Sequence, residues 1–171
     1  MDIKLCTRAS NNLKIIVNLA LKKLTGSSVW AMVYAFLHAS GLNVFNGYVL
    51  YSEKVYKDNK RIKPNRTIEI RHISAEEEKN VILFELKGQK FDESKFCEHE
   101  KEIADYMKTQ PFPNGALVYP DMSYFYELSD EGVPTRSSGD LFKFNNLDQL
   151  ESVINRIART RFDFDLSENK N

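Results

Sequence analysis

Glu85 and Lys87 stand two residues apart in the run VILFELK (81–87), and Glu69 stands in the preceding run TIEIRHI (67–73). Both runs are rich in β-branched and apolar residues and read as strands. Strand side chains alternate between faces, so Val81, Leu83, Glu85 and Lys87 share one face. Ile82, Phe84 and Leu86 form a wholly apolar face suited to a core. The separator SAEEEKN (74–80) is short, polar and glutamate-rich, as a hairpin connection should be. A turn centred on Glu77 places Glu69 directly opposite Glu85, with Cβ atoms roughly 4.5–5.5 Å apart. Two carboxylates that close repel each other unless a cation lies between them, and carboxylate oxygens are the ligands that Mg²⁺ and Mn²⁺ prefer. The expectation is that Glu69 and Glu85 are metal ligands and catalytic residues. Lys87 then lies beside the ion, where it can steady a developing phosphoryl charge or an attacking water. A register slip of one residue would turn Glu69 to the other face, so the inference depends on the turn centre.

The elements that must position these residues are legible on either side. Ser10, Asn11 or Asn12 can cap a helix with apolar residues at Leu13, Ile16, Val17, Ala20, Leu21 and Leu24, stopped by Gly26. A second helix runs from Ser27 or Ser28 through Trp30, Val33, Tyr34 and Leu37 to Gly41. A strand is predicted over 47–57, followed by a polar loop over 58–66. Downstream come a helix over 95–108, strands at 115–119 and 124–128, a loop holding Gly132, Pro134 and Gly139, and a helix over 147–159. The ending DFDLSENKN has no period and reads as a flexible tail over 163–171. The fold class is α/β (α+β): a mixed sheet flanked by helices, with an N-terminal helical pair over 10–41 and a single domain over 1–162.

Composition narrows the function. The 171 residues carry 24 Lys and Arg against 24 Asp and Glu, so tail-driven binding to nucleic acid, which needs surplus positive charge, is excluded. Cys6 and Cys97 are too few for a disulfide scaffold and have no zinc-ligand spacing. The longest apolar run, VWAMVYAFL (29–37), falls well short of the ~20 residues that a membrane span needs. With no secretory leader visible at MDIKLCTRASNN, the expectation is a cytoplasmic protein without membrane contact.

Residues 45–120 resemble the PD-(D/E)XK nuclease superfamily, the restriction-endonuclease-like proteins. Members carry an acid on one strand and a (D/E)-x-K element on the next, followed by a helix and another strand. FELKG (84–88) is similar to the (D/E)-x-K element, with Glu85 and Lys87 in its acidic and lysine positions. KPNRTIEI (63–70) stands where the proline–aspartate strand would be, and EHEKEIADYM with GALVYP where the helix and strand follow. Two positions depart from the pattern. Asn65 replaces the aspartate expected after proline, which leaves Glu69 as the strand acid, with Asp58 in a loop as the poorer candidate. Glu102 stands four residues before Tyr106, where RecB-like members carry glutamine. The resemblance implies an Mg²⁺- or Mn²⁺-dependent endonuclease acting on phosphodiesters, with DNA expected ahead of RNA. The departures leave open a catalytically inactive subunit of a defence or restriction-type complex that binds nucleic acid or a protein partner. A homodimer or partner would be needed to cut both strands.

Other residues are weighed against plainer roles. Lys54, Lys57, Lys60, Arg61, Lys63 and Arg66 fall in a stretch whose single acid is Asp58, a cluster that could grip a phosphate backbone. Lys60, Arg61, Lys63, Arg66 and Lys90 are the expected nucleic-acid contacts, with Lys95 a weaker one. His38 is read as packed or close to a helix end, His72 as facing the core side of its strand, and His99 as solvent-facing.

Overall fold

The computed structural model describes residues 2–52, 67–74 and 77–168, with backbone alone at 137–140. Among the described residues four α-helices and six strands, with one 3₁₀ turn at Val44–Asn46, follow in the order α1 (Thr7–Lys23), α2 (Gly26–Ser40), β1 (Tyr48–Ser52), β2 (Thr67–Ile73), β3 (Glu78–Leu86), α3 (Glu93–Thr109), β4 (Asn114–Val118), β5 (Met122–Leu128), β6 (Pro134–Lys143) and α4 (Leu147–Glu168). The strands lie side by side in chain order, β1 to β6. Every neighbouring pair is antiparallel except β3 and β4, which are parallel. A parallel pair needs a crossover rather than a tight turn, and α3 supplies it.

The crossover puts α3 on one face of the sheet, while α1, α2 and α4 cover the other. On the three-helix side Ile82, Phe84 and Leu86 join Ile68, Ile70, Phe125 and the inner faces of the helices in the larger core. On the α3 side Leu83 joins Ile103, Met107, Phe112, Leu117, Tyr119 and Tyr126. The mixed α+β class and the apolar face of β3 are as expected. Two glycines permit close approach between layers. A Cβ on Gly115 would lie 2.4 Å from Met107 Sδ and 3.2 Å from Ile103 Cδ1, so a larger residue there would push these α3 side chains aside. A Cβ on Gly88 would lie 2.6 Å from the Gly26 backbone nitrogen, so the chain leaving β3 passes directly under the start of α2.

Several boundaries move. α2 begins at Gly26 because Thr25 and Ser28 form a reciprocal capping box, which extends the helix before the expected serines. The segment expected to be a loop around Pro134 is the edge strand β6. Proline is tolerated as the first residue of an edge strand, where no ladder hydrogen bond is lost. The expected tail is the last turns of α4, which continue to Glu168. Tyr48 Oη donates to Asp165 Oδ1 at 2.6 Å, Phe164 lies against Tyr48 and His72, and Lys79 Nζ meets Glu168 at 2.7 Å. An aperiodic tail thus gains its order from partners on β1, β2 and β3. The predicted strand over 47–57 is seen as β1, and the rest of it lies outside the described residues.

Candidate functional site

The hairpin that carries the candidate residues has a tighter turn than expected. Ser74 N–H donates to Glu77 O at 3.0 Å, and Ile73 pairs with Glu78. The turn is therefore not centred on Glu77. Near the turn Arg71 pairs with Asn80, whereas beyond it Ile70 pairs with Ile82, so Val81 is an extra residue in β3, a β-bulge. The outcome corrects the expected register: Glu69 pairs with Leu83 and Glu85 with Thr67. Glu69 and Glu85 are diagonal neighbours rather than direct opposites, a separation of roughly 7–8 Å between Cβ atoms. They remain on the same face, the one covered by α3.

Each carboxylate there has a cation against it. Arg71 Nη2 contacts Glu69 Oε2 at 2.6 Å, and its guanidinium also reaches Glu78 at 3.5 Å and lies over the Tyr51 and Phe112 rings. Lys87 Nζ contacts Glu85 Oε1 at 2.9 Å and Glu102 Oε2 from α3. Glu69, Glu85 and Lys87 are 4%, 1% and 6% exposed, so the ion pairs are almost free of solvent screening. Lys87 N–H donates to Val118 O at 2.9 Å, which pins its backbone to β4 while the side chain turns toward α3. Four carboxylates thus contact two cations, Glu69 and Glu78 on Arg71 and Glu85 and Glu102 on Lys87.

His99 is the further member that strand periodicity does not reveal. It lies one helical turn before Glu102 and so shares its side of α3. Contrary to the expectation of a solvent-facing residue, it is buried, with Nδ1 at 2.8 Å from Tyr119 Oη. Burial, and then the positive charge of Lys87, lower its pKa, while burial raises that of the Tyr119 hydroxyl. The imidazole is neutral in the fold. As the unfolded chain binds the proton more readily, stability conferred by His99 is present above the ordinary histidine pKa and lost as pH falls below it. Urea unfolding of the wild type should accordingly weaken between about pH 7 and pH 5 more steeply than that of His99→Gln. Parallel pH profiles would show that the buried imidazole is not the responsible group.

Arg71 was also missed, although its position two residues after Glu69 on the same strand face was a usable signal. His72 packs against Tyr48 and Phe164 on the core side, as expected. His38 is exposed in the last turn of α2, where its carbonyl accepts from Gly41 N–H. Lys90 and Lys95 are exposed, on the connection from β3 and on the first turn of α3. The basic cluster from Lys54 to Arg66, including Lys60, Arg61 and Lys63, lies outside the described residues, as do Asp58 and Asn65.

Among the described residues, no three His, Cys, Asp or Glu side chains converge as a metal cage would. Mg²⁺ does not require one, since it is commonly held by one or two carboxylates with water and substrate phosphate completing the shell. No described helix is long and apolar enough to cross a membrane. Compared with known proteins, the chain matches no family model, no curated protein and no solved structure.

Proposed function

We propose that the chain is a restriction-endonuclease-like domain that hydrolyses nucleic-acid phosphodiesters with Mg²⁺ or Mn²⁺. The observation that carries this reading is the burial of Glu69, Glu85 and Lys87 on one sheet face, with the half-exposed Glu102 reaching Lys87 from α3. The order of a β1–β2–β3 meander, a helix and a strand parallel to β3 supports it, as does the position of Glu-x-Lys at the end of the central strand. Glu69 and Glu85 would hold the ion, which when bound supplies Lewis-acid polarisation of the phosphate. Lys87 offers a fixed positive charge for the phosphoryl group, and Glu102 orients that ammonium from the helix side. DNA is the substrate expected first, and a second copy or a partner would be needed to cut both strands.

A purified sample given Mn²⁺ or Mg²⁺ should cleave DNA or RNA, and Lys87→Gln should lower the rate at least about 10²-fold. Titration calorimetry should register Mn²⁺ binding that Glu85→Gln weakens. Absence of both cleavage and Mn²⁺ binding would end the catalytic reading.

A second reading is favoured by the charge compensation itself. Because Arg71 faces Glu69 and Lys87 faces Glu85, the cluster is complete without a metal and could serve to lock α3 onto the hairpin. The chain would then be an inactive subunit of the same fold that contributes binding. Nucleic-acid affinity without cleavage identifies it.

A further inference from the structure

The charge of this neutral chain is unevenly placed. Residues 3–52 contain no Asp or Glu, and four of their cations, Arg8, Lys14, Lys22 and Lys23, lie on α1. This helix buries Ser10, Leu13, Val17 and Ala20 and leaves all four cations exposed. Among the described residues, none of the four is in an ion pair. Exposed cations elsewhere, Lys90, Lys95, Lys101, Lys108, Lys143 and Arg159, are also in no ion pair among the described residues, but α3 and α4 intersperse theirs with Asp and Glu, whereas α1 carries neither.

Helix stability does not account for the pattern. Lys22 and Lys23 in the last turn complement the helix dipole, but Arg8 in the first turn opposes it. The first turn carries no acid, and the Cys6 side chain provides no cap. Between the two basic ends the exposed surface presents Asn11, Asn12 and Asn18, with Ile15 and Leu19 interleaved. Asparagine amides hydrogen-bond phosphates and base edges, and isolated aliphatic groups suit thymine methyls.

We propose that the outer face of α1 is a binding surface for double-stranded nucleic acid, separate from the Glu85–Lys87 cluster. Charge complementarity selects a polyanion, and the amides select a duplex over an anionic membrane. A helix lying in a membrane interface inserts a continuous apolar face, whereas the apolar face of α1 is the one packed on α2 and α4. At 1.5 Å per residue, Arg8 and Lys22 are about 21 Å apart along the axis. This exceeds the ~12 Å width of a major groove, so the two basic ends reach phosphates on opposite rims. Since α1 and α3 lie on opposite faces of the sheet, this surface and the candidate catalytic cluster can fail independently.

The test is anisotropy of short fluorescent DNA and RNA duplexes with the full chain in EDTA, which removes any metal-dependent step. Four phosphate contacts give a slope of log affinity on log salt of about −3.6, a loss of about 10²-fold between roughly 50 and 200 mM salt. The variant Arg8→Gln/Lys14→Gln/Lys22→Gln alters only exposed side chains, and its thermal unfolding should match the wild type. Its slope should be shallower by about 2.7. The proposal is overturned if neither duplex binds, if the variant keeps the wild-type slope, or if the wild type binds phosphatidylserine vesicles and ignores both duplexes. Duplex binding in EDTA together with no cleavage in Mn²⁺ would uphold this surface and remove only the catalytic reading.

Discussion

Lys87→Ala is expected to lower the free energy of unfolding by about 3–5 kcal/mol, because it leaves a buried carboxylate without its counter-charge. Glu85 is 1% exposed, and the ammonium that compensates it is itself buried between Glu85 and Glu102. The effect therefore belongs to the isolated charge rather than to a missing contact. It follows that a second substitution should recover most of the loss. In Glu85→Gln/Lys87→Met both charges are gone, and the remaining polar demand is a single amide beside Thr67. Glu102 is half-exposed and can turn to solvent. Urea unfolding of the two single variants and the double gives the coupling directly. If Lys87→Ala stays within about 1 kcal/mol of the wild type, Glu85 is not compensated by Lys87 and the site as drawn is wrong. The measurement holds under either functional reading, since catalytic and structural clusters both need the pair intact.

Ending the chain after Phe162 is expected to cost about 3–5 kcal/mol, through loss of the Phe164 ring and of the acceptor for Tyr48. Phe164 lies with its centroid 6.2 Å from Tyr48 and 5.1 Å from His72. Tyr48 is buried, and burial together with the neighbouring Asp165 raises its pKa, so it keeps its proton and needs an acceptor. Removing Asp165 takes away the acceptor that Tyr48 Oη uses in the fold. The single change Asp165→Asn preserves an acceptor and should cost far less than truncation. A truncated chain that melts with the full-length one would restore the flexible tail.

That contrast separates two kinds of information. The periodicity over 147–159 predicts a helix because each apolar residue meets the core one turn after another. The stretch after it has no such period. Its order comes from Asp165, Phe164 and Glu168 meeting Tyr48, His72 and Lys79, residues far away along the chain. β6 was hidden for a related reason. Its Pro134 and Gly139 read as loop residues, and only the free edge beside β5 makes a proline-led strand acceptable. His99 was placed in solvent because α3 is strongly charged. Its burial follows from Tyr119, which arrives from the end of β4.

For the candidate site, the residue types and the two-residue alternation were enough to assign Glu85 and Lys87 to one strand face and Ile82, Phe84 and Leu86 to the other. They also singled out Glu69 as the acid of the neighbouring strand. Alternation is a property of regular strand backbone, so it holds from Ile82 to Lys87; at the bulge it fails, and Val81, expected on the face of Glu85, lies in the three-helix core beside Ile82. Register is not local. The observed turn is shorter than a turn centred on Glu77, and by itself it would shift the pairing by an odd number of residues. Glu69 would then face the three-helix core. The bulge at Val81 adds the one residue that returns Glu69 to the side of Glu85. Where that residue is inserted depends on Val81 filling the core and its carbonyl accepting from the Asn114 amide of β4 at 3.2 Å. The sequence alone therefore determined which side chains could form a charged site. Only the tertiary structure decided that they meet, because a register is chosen by the packing of both sheet faces at once.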